Sequence, residues 1–410
     1  MRNLGMITFL LLAAGALAAE DSLSFKLSGE LAGEAAAAWE NPSSVFLDVA
    51  PVREVAAAGR LDARLVFSRE YTTLGLFDFT FEDSAVLSHE SGAEIENPVF
   101  TVNELYADLN FGDLVFLRLG KQRLKWGAGF VYNPSDPVNP PKDPTAVRSE
   151  REGVSAVKAE LITSVLSLGV FGVFFDTLED IGAGARLSSS AIPGIDLSVS
   201  GYWSRSESWT AALNASIAPL YEVPGWDTLQ VWFEGGLWDA GRYAAYDSDQ
   251  PAFPSEAEGM HYSFLIGGSA ALPEIRTVLI AEYYHLSEGL SAGELDEIYS
   301  GLDSSPLFAG WYPELARRPA RLAEDYMFVS LTQPTITDDG NPVLDHIGLS
   351  TSCIVSLTDL SVLVRHGITT TFVKDSSVDL LVTWAAGDSN TEFANLPAAV
   401  GAELQVKIYF

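Results

Sequence analysis

The sequence predicts an all-β fold: a transmembrane antiparallel up-and-down barrel of about 18 strands, with about 16 as the alternative count. Three observations lead there. Apolar and polar residues alternate with period two over segments of about ten residues, long for soluble sandwich strands and matched to a tilted bilayer crossing. The apolar rows end in Trp, Tyr and Phe, as interfacial girdles do. The opposite rows carry charges in mid-strand, which a watery lumen solvates and a packed core does not. The chain also opens on an export signal, and no later stretch is apolar for about 18 residues, so helices do not supply the crossing.

Composition agrees with this class. The 410 residues are 48% hydrophobic and 19% charged, with 24 Lys and Arg against 55 Asp and Glu, a formal net charge of −31. Mean hydropathy is +0.15 and the pI is near 4.3. Such a chain is too apolar for disorder and too acidic to present a nucleic-acid-binding face. The single cysteine, Cys353, excludes an intramolecular disulfide framework and any multi-cysteine metal site.

Along the chain, Arg2 supplies a positive start, Met6 to Leu17 an apolar run and Ala16-Leu17-Ala18 a small-residue cleavage pattern. Residues 1–19 therefore read as a cleaved signal peptide and 20–410 as one barrel domain. Strands are expected near 22–38, 57–68, 73–82, 101–110, 113–125, 152–161, 165–175, 181–189 and 194–203. Nine more follow near 208–217, 228–238, 261–271, 276–286, 325–333, 343–356, 360–371, 377–386 and 401–410. Each rests on alternation. Leu61, Ala63, Leu65 and Phe67 oppose Arg60, Asp62 and Arg64; Leu105, Ala107 and Leu109 oppose Glu104, Tyr106 and Asp108. At the chain end Ala402, Leu404, Val406, Ile408 and Phe410 oppose Glu403, Gln405, Lys407 and Tyr409. Between strands, short turns (69–72, 111–112, 162–164, 190–193) alternate with long connections (39–56, 83–100, 126–151, 239–260, 287–324, 387–400). An even strand count and this alternation agree, because bacterial barrels keep turns on the periplasmic side and long loops outside. Asp338-Asp339-Gly340-Asn341 supplies a tight turn in 334–342.

Two segments carry a resemblance. The ending Leu404-Gln405-Val406-Lys407-Ile408-Tyr409-Phe410 resembles the C-terminal assembly signal of Gram-negative outer-membrane proteins, in which a last strand ending in Phe is read by the barrel-assembly machinery. The block from Gly120-Lys121 through Trp126-Gly127-Ala128-Gly129 to Asn133-Pro134-Ser135-Asp136-Pro137-Val138-Asn139 resembles one found in porin-like barrel proteins. Its third-loop position implies a constriction folded into the lumen, as in general porins. Five prolines (Pro134, Pro137, Pro140, Pro141, Pro144) stiffen it, which fits equally a rigid rim turn.

From Arg118 to Lys158 eight basic residues face four acids, a local excess of four positive charges in a strongly acidic chain. Arg118, Lys121, Arg123, Lys125, Trp126, Asn133 and Asp136 are the pore candidates, and Arg60, Asp62, Arg64, Glu104 and Asp108 the lumen-facing ones. Two readings stand: a positive ladder that creates a transverse field, or cations paired with Asp62, Asp108 or Glu104 to hold the wall together.

Gly289-Leu290-Ser291-Ala292-Gly293 matches the nucleophile-elbow spacing, but the preceding segment reads as a barrel strand and the match lies in a long loop. His285 is expected as an interface aromatic and Cys353 as a small strand residue. In 312–325 the charges of Arg317, Arg318, Arg321, Glu314, Glu324 and Asp325 suggest a short helix. No metal-ligand spacing appears, and acid-rich loops read as solvated faces. The expectation is a porin-like outer-membrane channel for passive diffusion of small solutes, without cofactor. Its partners are membrane lipid, the assembly machinery and the solutes. A plugged structural or surface-binding barrel is the alternative, and a barrel hydrolase using Ser291 the second.

Overall fold

Eighteen strands pair in chain order and close into an antiparallel barrel. The computed structural model describes residues 23–46, 55–69, 72–88, 92–95, 97–112, 114–124, 126–139, 152–174, 181–205, 208–219, 228–318 and 320–410. The proposed signal peptide lies outside them. The first half comprises β1 (Leu23–Glu40), β2 (Val55–Arg69), β3 (Thr72–Ser88), β4 (Val99–Phe111), β5 (Val115–Gln122), β6 (Val154–Ile162), β7 (Leu166–Phe174), β8 (Ile181–Ile192) and β9 (Ile195–Ser204). The second comprises β10 (Ser208–Ile217), β11 (Gln230–Trp238), β12 (His261–Leu272), β13 (Thr277–Leu286), β14 (Asp325–Gln333), β15 (Ile347–Ser356), β16 (Val362–Thr370), β17 (Ser376–Ala386) and β18 (Ala398–Tyr409). The short strand Gly92–Ile95 pairs antiparallel with the end of β3, from Ala85↔Ile95 to Ser88↔Gly92.

Closure joins β18 to β1, from Glu30↔Tyr409 to Glu40↔Ala398. Phe410 completes it by exchanging backbone hydrogen bonds with Gly29, at 3.1 and 2.9 Å. Among the described strands of the main sheet no edge is left exposed, which is how a barrel satisfies its backbone in lipid.

The period-two reading translates directly into two faces. On β7, Leu166, Leu168 and Val170 are exposed while Gly169, Phe171 and Val173 are buried. Outward rows throughout are Leu, Val, Ile, Phe and Trp, an apolar belt that water would not tolerate and hydrocarbon does. Leu23, where the described residues start, lies with Phe410 and the tight turns at one end of the barrel. There Pro193-Gly194 makes the two-residue turn between β8 and β9, with Gly194 at φ 75°. The long connections gather at the other end.

Several boundaries differ from expectation. Strand β5 stops at Gln122 rather than 125, because the next N–H, of Arg123, donates to the Glu104 carboxylate instead of the ladder (3.0 Å). Before β15 the chain makes a 3-10 turn, Leu344–His346, so that strand starts four residues late. In the 287–324 connection the longer helix is α1 (Ala292–Ser304), which alternation could not reveal; the expected helix over 312–325 is shorter, α2 (Trp311–Ala316).

The interior is partly packed. Leu295, Ile298, Tyr299 and Trp311 of the long connection join the inward side chains Trp238, Leu265, Tyr284, Tyr326, Phe328 and Leu363 in one buried apolar cluster. A second, smaller cluster surrounds Trp126.

Candidate functional site

The chain leaving β5 turns inward and runs along the barrel's inner wall. Trp126 starts this path: it is buried in a cluster with Leu124, Val138 and Val173, and meets the Phe171 ring edge-on at 5.2 Å. The next residues cross to β11. Glu234 there is fully buried (0% exposed) and its Oε1 accepts from the N–H groups of Ala128 and Gly129, each at 2.5 Å. Its Oε2 accepts from the Ser135 hydroxyl at 2.8 Å and from the Ser135 N–H at 3.4 Å. On β13, Glu282 (2% exposed) accepts from Phe130 N–H at 2.5 Å and Val131 N–H at 2.9 Å, and from the Trp232 indole at 3.1 Å. The segment then ends its run against β14, where Phe130 stacks on Phe328 at 5.6 Å. Tyr132 stacks on Tyr284 at 4.3 Å, nearly parallel.

The conspicuous residue types of the block now have physical reasons. Gly127 sits at φ 70°, and a Cβ there would collide with both carboxylate oxygens of Glu234. A Cβ on Gly129 would strike the Tyr132 carbonyl. Asn133 donates to the Trp126 carbonyl at 3.1 Å and Asn139 to that of Leu124 at 2.5 Å, so the return path is tied to the outgoing one. Asp136 accepts from the backbone N–H of Val138 (3.2 Å) and Asn139 (3.0 Å), an Asx-type turn that leads into the return. Short polar side chains and glycines, rather than the prolines alone, give this loop its shape.

Half the circumference away, the inward rows of β2 to β6 form a charged wall. Arg64 faces Asp78 at 3.2 Å and Glu104 at 3.4 Å. Arg118 makes a bidentate pair with Asp108, at 2.6 and 2.8 Å, and lies over the Tyr106 ring at 3.8 Å. Arg60 pairs with Asp62, which also accepts from the Thr80 hydroxyl at 2.6 Å. Lys158 pairs with Glu160 at 2.9 Å and, near the closure, Lys407 with Asp379 at 2.8 Å. A bulge at Asn103 turns both Asn103 and Glu104 inward, and Asn103 donates to Thr80 at 2.8 Å and Asp78 at 3.2 Å. In these pairs cation and anion alternate along one wall.

The remaining candidates separate. Lys121 falls in the row of Leu117 and Leu119, opposite to that of Arg118, and meets Glu152 at 2.8 Å. Lys125 lies outside the described residues, as do Lys142, Arg148 and Arg151. Tyr409 is inward beside Ser377 (3.2 Å), and Phe410 is exposed at the turn end. Ser291 is the N-cap of α1: its hydroxyl accepts from Glu294 N–H at 3.4 Å, and its own backbone N–H donates to the Glu294 carboxylate at 2.7 Å. That is a capping box, so the apparent elbow is a helix start. His285 is on an outward row, 2.8 Å from Asp325, which also accepts from the Tyr283 hydroxyl at 2.6 Å. Among the described residues no cluster of potential metal ligands forms.

Sequence reasoning missed Glu234, Glu282 and Phe130. The two glutamates sit at inward positions of strands, where any polar residue would satisfy the alternation. Three further arginines, Arg242, Arg317 and Arg321, line a cavity of about 400 Å³ with Asn133, Asp136 and Asn139 of the inward loop. A second, of about 240 Å³, lies against Trp126, Lys158 and Arg186.

No family model matches this sequence, and no curated protein does. Solved structures match its shape. OccAB1 of Acinetobacter baumannii aligns over 95% of this chain and 96% of its own, with TM-score 0.55 and 11% identity. OccK8 (OprE) of Pseudomonas aeruginosa aligns over 94% and 98%, with TM-score 0.55 and 9% identity. OccK5 (OpdH) of the same organism gives TM-score 0.53 at 9% identity, over 94% and 98%. The barrel architecture is thus shared over nearly the whole of each chain, with almost no sequence in common.

Proposed function

We propose that this chain is a porin-like channel of the bacterial outer membrane, through which small solutes diffuse passively. The observation that carries this reading is the inward loop 123–139. It is secured to β11, β13 and β14 and leaves the Phe130 ring 54% exposed, while the inward rows of β2 to β6 carry alternating charges. A constriction with an apolar side and a charged side selects by size and by the fit of a solute's own charges, without a chemical step. Arg64, Arg118, Glu104 and Asp108 would line the charged side; Asn133 and Asp136 would meet the solute from the loop. Loops of 287–324 would lie at the cell surface, with the Phe410 end in the periplasm, where the assembly machinery reads it.

The packed cluster around Tyr132, Trp311 and Phe328 favours a second reading, a barrel whose lumen is plugged and whose surface binds a partner. One measurement separates the two. Purified protein in a planar bilayer should give discrete conductance steps that scale with salt. A folded, inserted barrel that passes no current supports the plugged reading.

A further inference from the structure

We propose that Glu234 and Glu282 are the positioning residues that hold the constriction loop at one aperture. The inference rests on the channel reading and extends it to residues far from the loop in sequence. The N–H groups of four consecutive residues, 128 to 131, end on these two carboxylates. A run of backbone donors converging on anions is the arrangement found in anion-binding nests, here satisfied by the protein's own side chains. Both carboxylates are sealed from water, so each is stabilised by the loop as much as the loop is by it.

The loop sequence is shaped to this contact. Gly127 leaves room for the Glu234 oxygens, and Gly236, two residues along β11, leaves room for the Pro134 carbonyl, which a Cβ would strike. The same strand therefore receives the outgoing and the returning arms. Release of Glu282 would free Phe130 and Val131 from β13, release of Glu234 would free Ala128, Gly129 and Ser135 from β11, and either would let the loop move off the wall and open the lumen. The aperture is a built dimension of this barrel and not a gate.

Glutamine tests this, because it keeps the size of the side chain but has one acceptor oxygen, and its NH2 would face N–H or O–H donors. The probe is Val131→Cys in a Cys353→Ser background; Val131 is buried at the Glu282 contact. Reaction with the charged thiol reagent methanethiosulfonate ethylsulfonate reports whether the loop is seated. In the Glu234→Gln/Glu282→Gln protein the labelling rate should rise about tenfold or more, the effect of losing even one charge-assisted hydrogen bond. Single-channel conductance and open-channel noise should rise with it, which a purely stabilising role would not produce. If the double variant does not insert, the two single variants carry the same comparison. Unchanged labelling and conductance in folded protein would overturn the proposal. Faster labelling in a barrel that never conducts would keep the anchoring role and overturn the channel reading.

Discussion

Glu392 should make the packing of the long connections depend on pH. It lies in the 387–397 connection, only 3% exposed, accepting from the Tyr326 hydroxyl and from Leu322 N–H, while its own N–H donates to Asp359 at 2.7 Å. Burial is the largest influence on its carboxyl and pushes it from 4.5 up to about 8; nearby Asp359 adds to the rise, while the Tyr326 and Leu322 hydrogen bonds and Arg318 oppose it. Tyr299 of α1, within electrostatic reach of Glu392, is itself raised by burial and stays neutral throughout. Between 4.5 and 8 the closed loop holds a proton that the opened loop has lost, so closure weakens as pH rises. The difference is on the order of a few kcal/mol of closure free energy, fully present below pH 4.5 and exhausted above pH 8. Hydrogen exchange followed by mass spectrometry on peptides covering 387–397 reads this directly. Relative to Glu392→Gln, which mimics the protonated form, the opening equilibrium should rise about tenfold per pH unit up to pH 8 and then level off. Identical pH slopes in the two proteins would refute the reasoning.

Other expectations follow from the walls and ends. Arg118→Gln should shift the reversal potential in a salt gradient toward cations and Asp108→Asn toward anions, with the double variant close to wild type; no shift in either would remove the pair from the permeation path. Because Arg118 is about one-third exposed, the effect on stability should be small, within about 1 kcal/mol. Lys121→Gln, on the opposite row, should leave the reversal potential unchanged, and a clear shift would mean that this side chain reaches the lumen. Deleting Phe410 removes the two backbone bonds to Gly29 that end the closing seam, so the level of heat-modifiable, inserted protein should fall; normal levels would contradict the assembly-signal reading. Ser304→Cys in the Cys353→Ser background, at the exposed end of α1, should react with an impermeant thiol reagent on intact cells. Labelling only after permeabilisation would invert the topology.

Much of the architecture was legible in one dimension, because a strand's side chains alternate strictly and lipid and lumen demand opposite chemistry on its two faces. Arg60, Asp62, Arg64, Glu104 and Asp108 could be placed on inward rows from neighbours such as Leu61 and Leu105, and the strands could be counted as about 18. Pairing is another matter. That Arg118 meets Asp108, while Lys121 meets Glu152 on the other row, depends on register and on where β5 stops. The capping box of Ser291 and Glu294 was written in the sequence as well, yet it shared its letters with a nucleophile-elbow spacing, and only the helix that follows decides between them. The glycines of the Trp126–Asn139 block announced a sharply turned loop but not its destination. Glu234 and Glu282 lie more than a hundred residues away, on strands where alternation asks only for something polar. Barrel closure alone brings them to the loop's N–H groups, and burying both partners together fixes that contact, since neither the carboxylates nor the backbone donors could be left there unpaired.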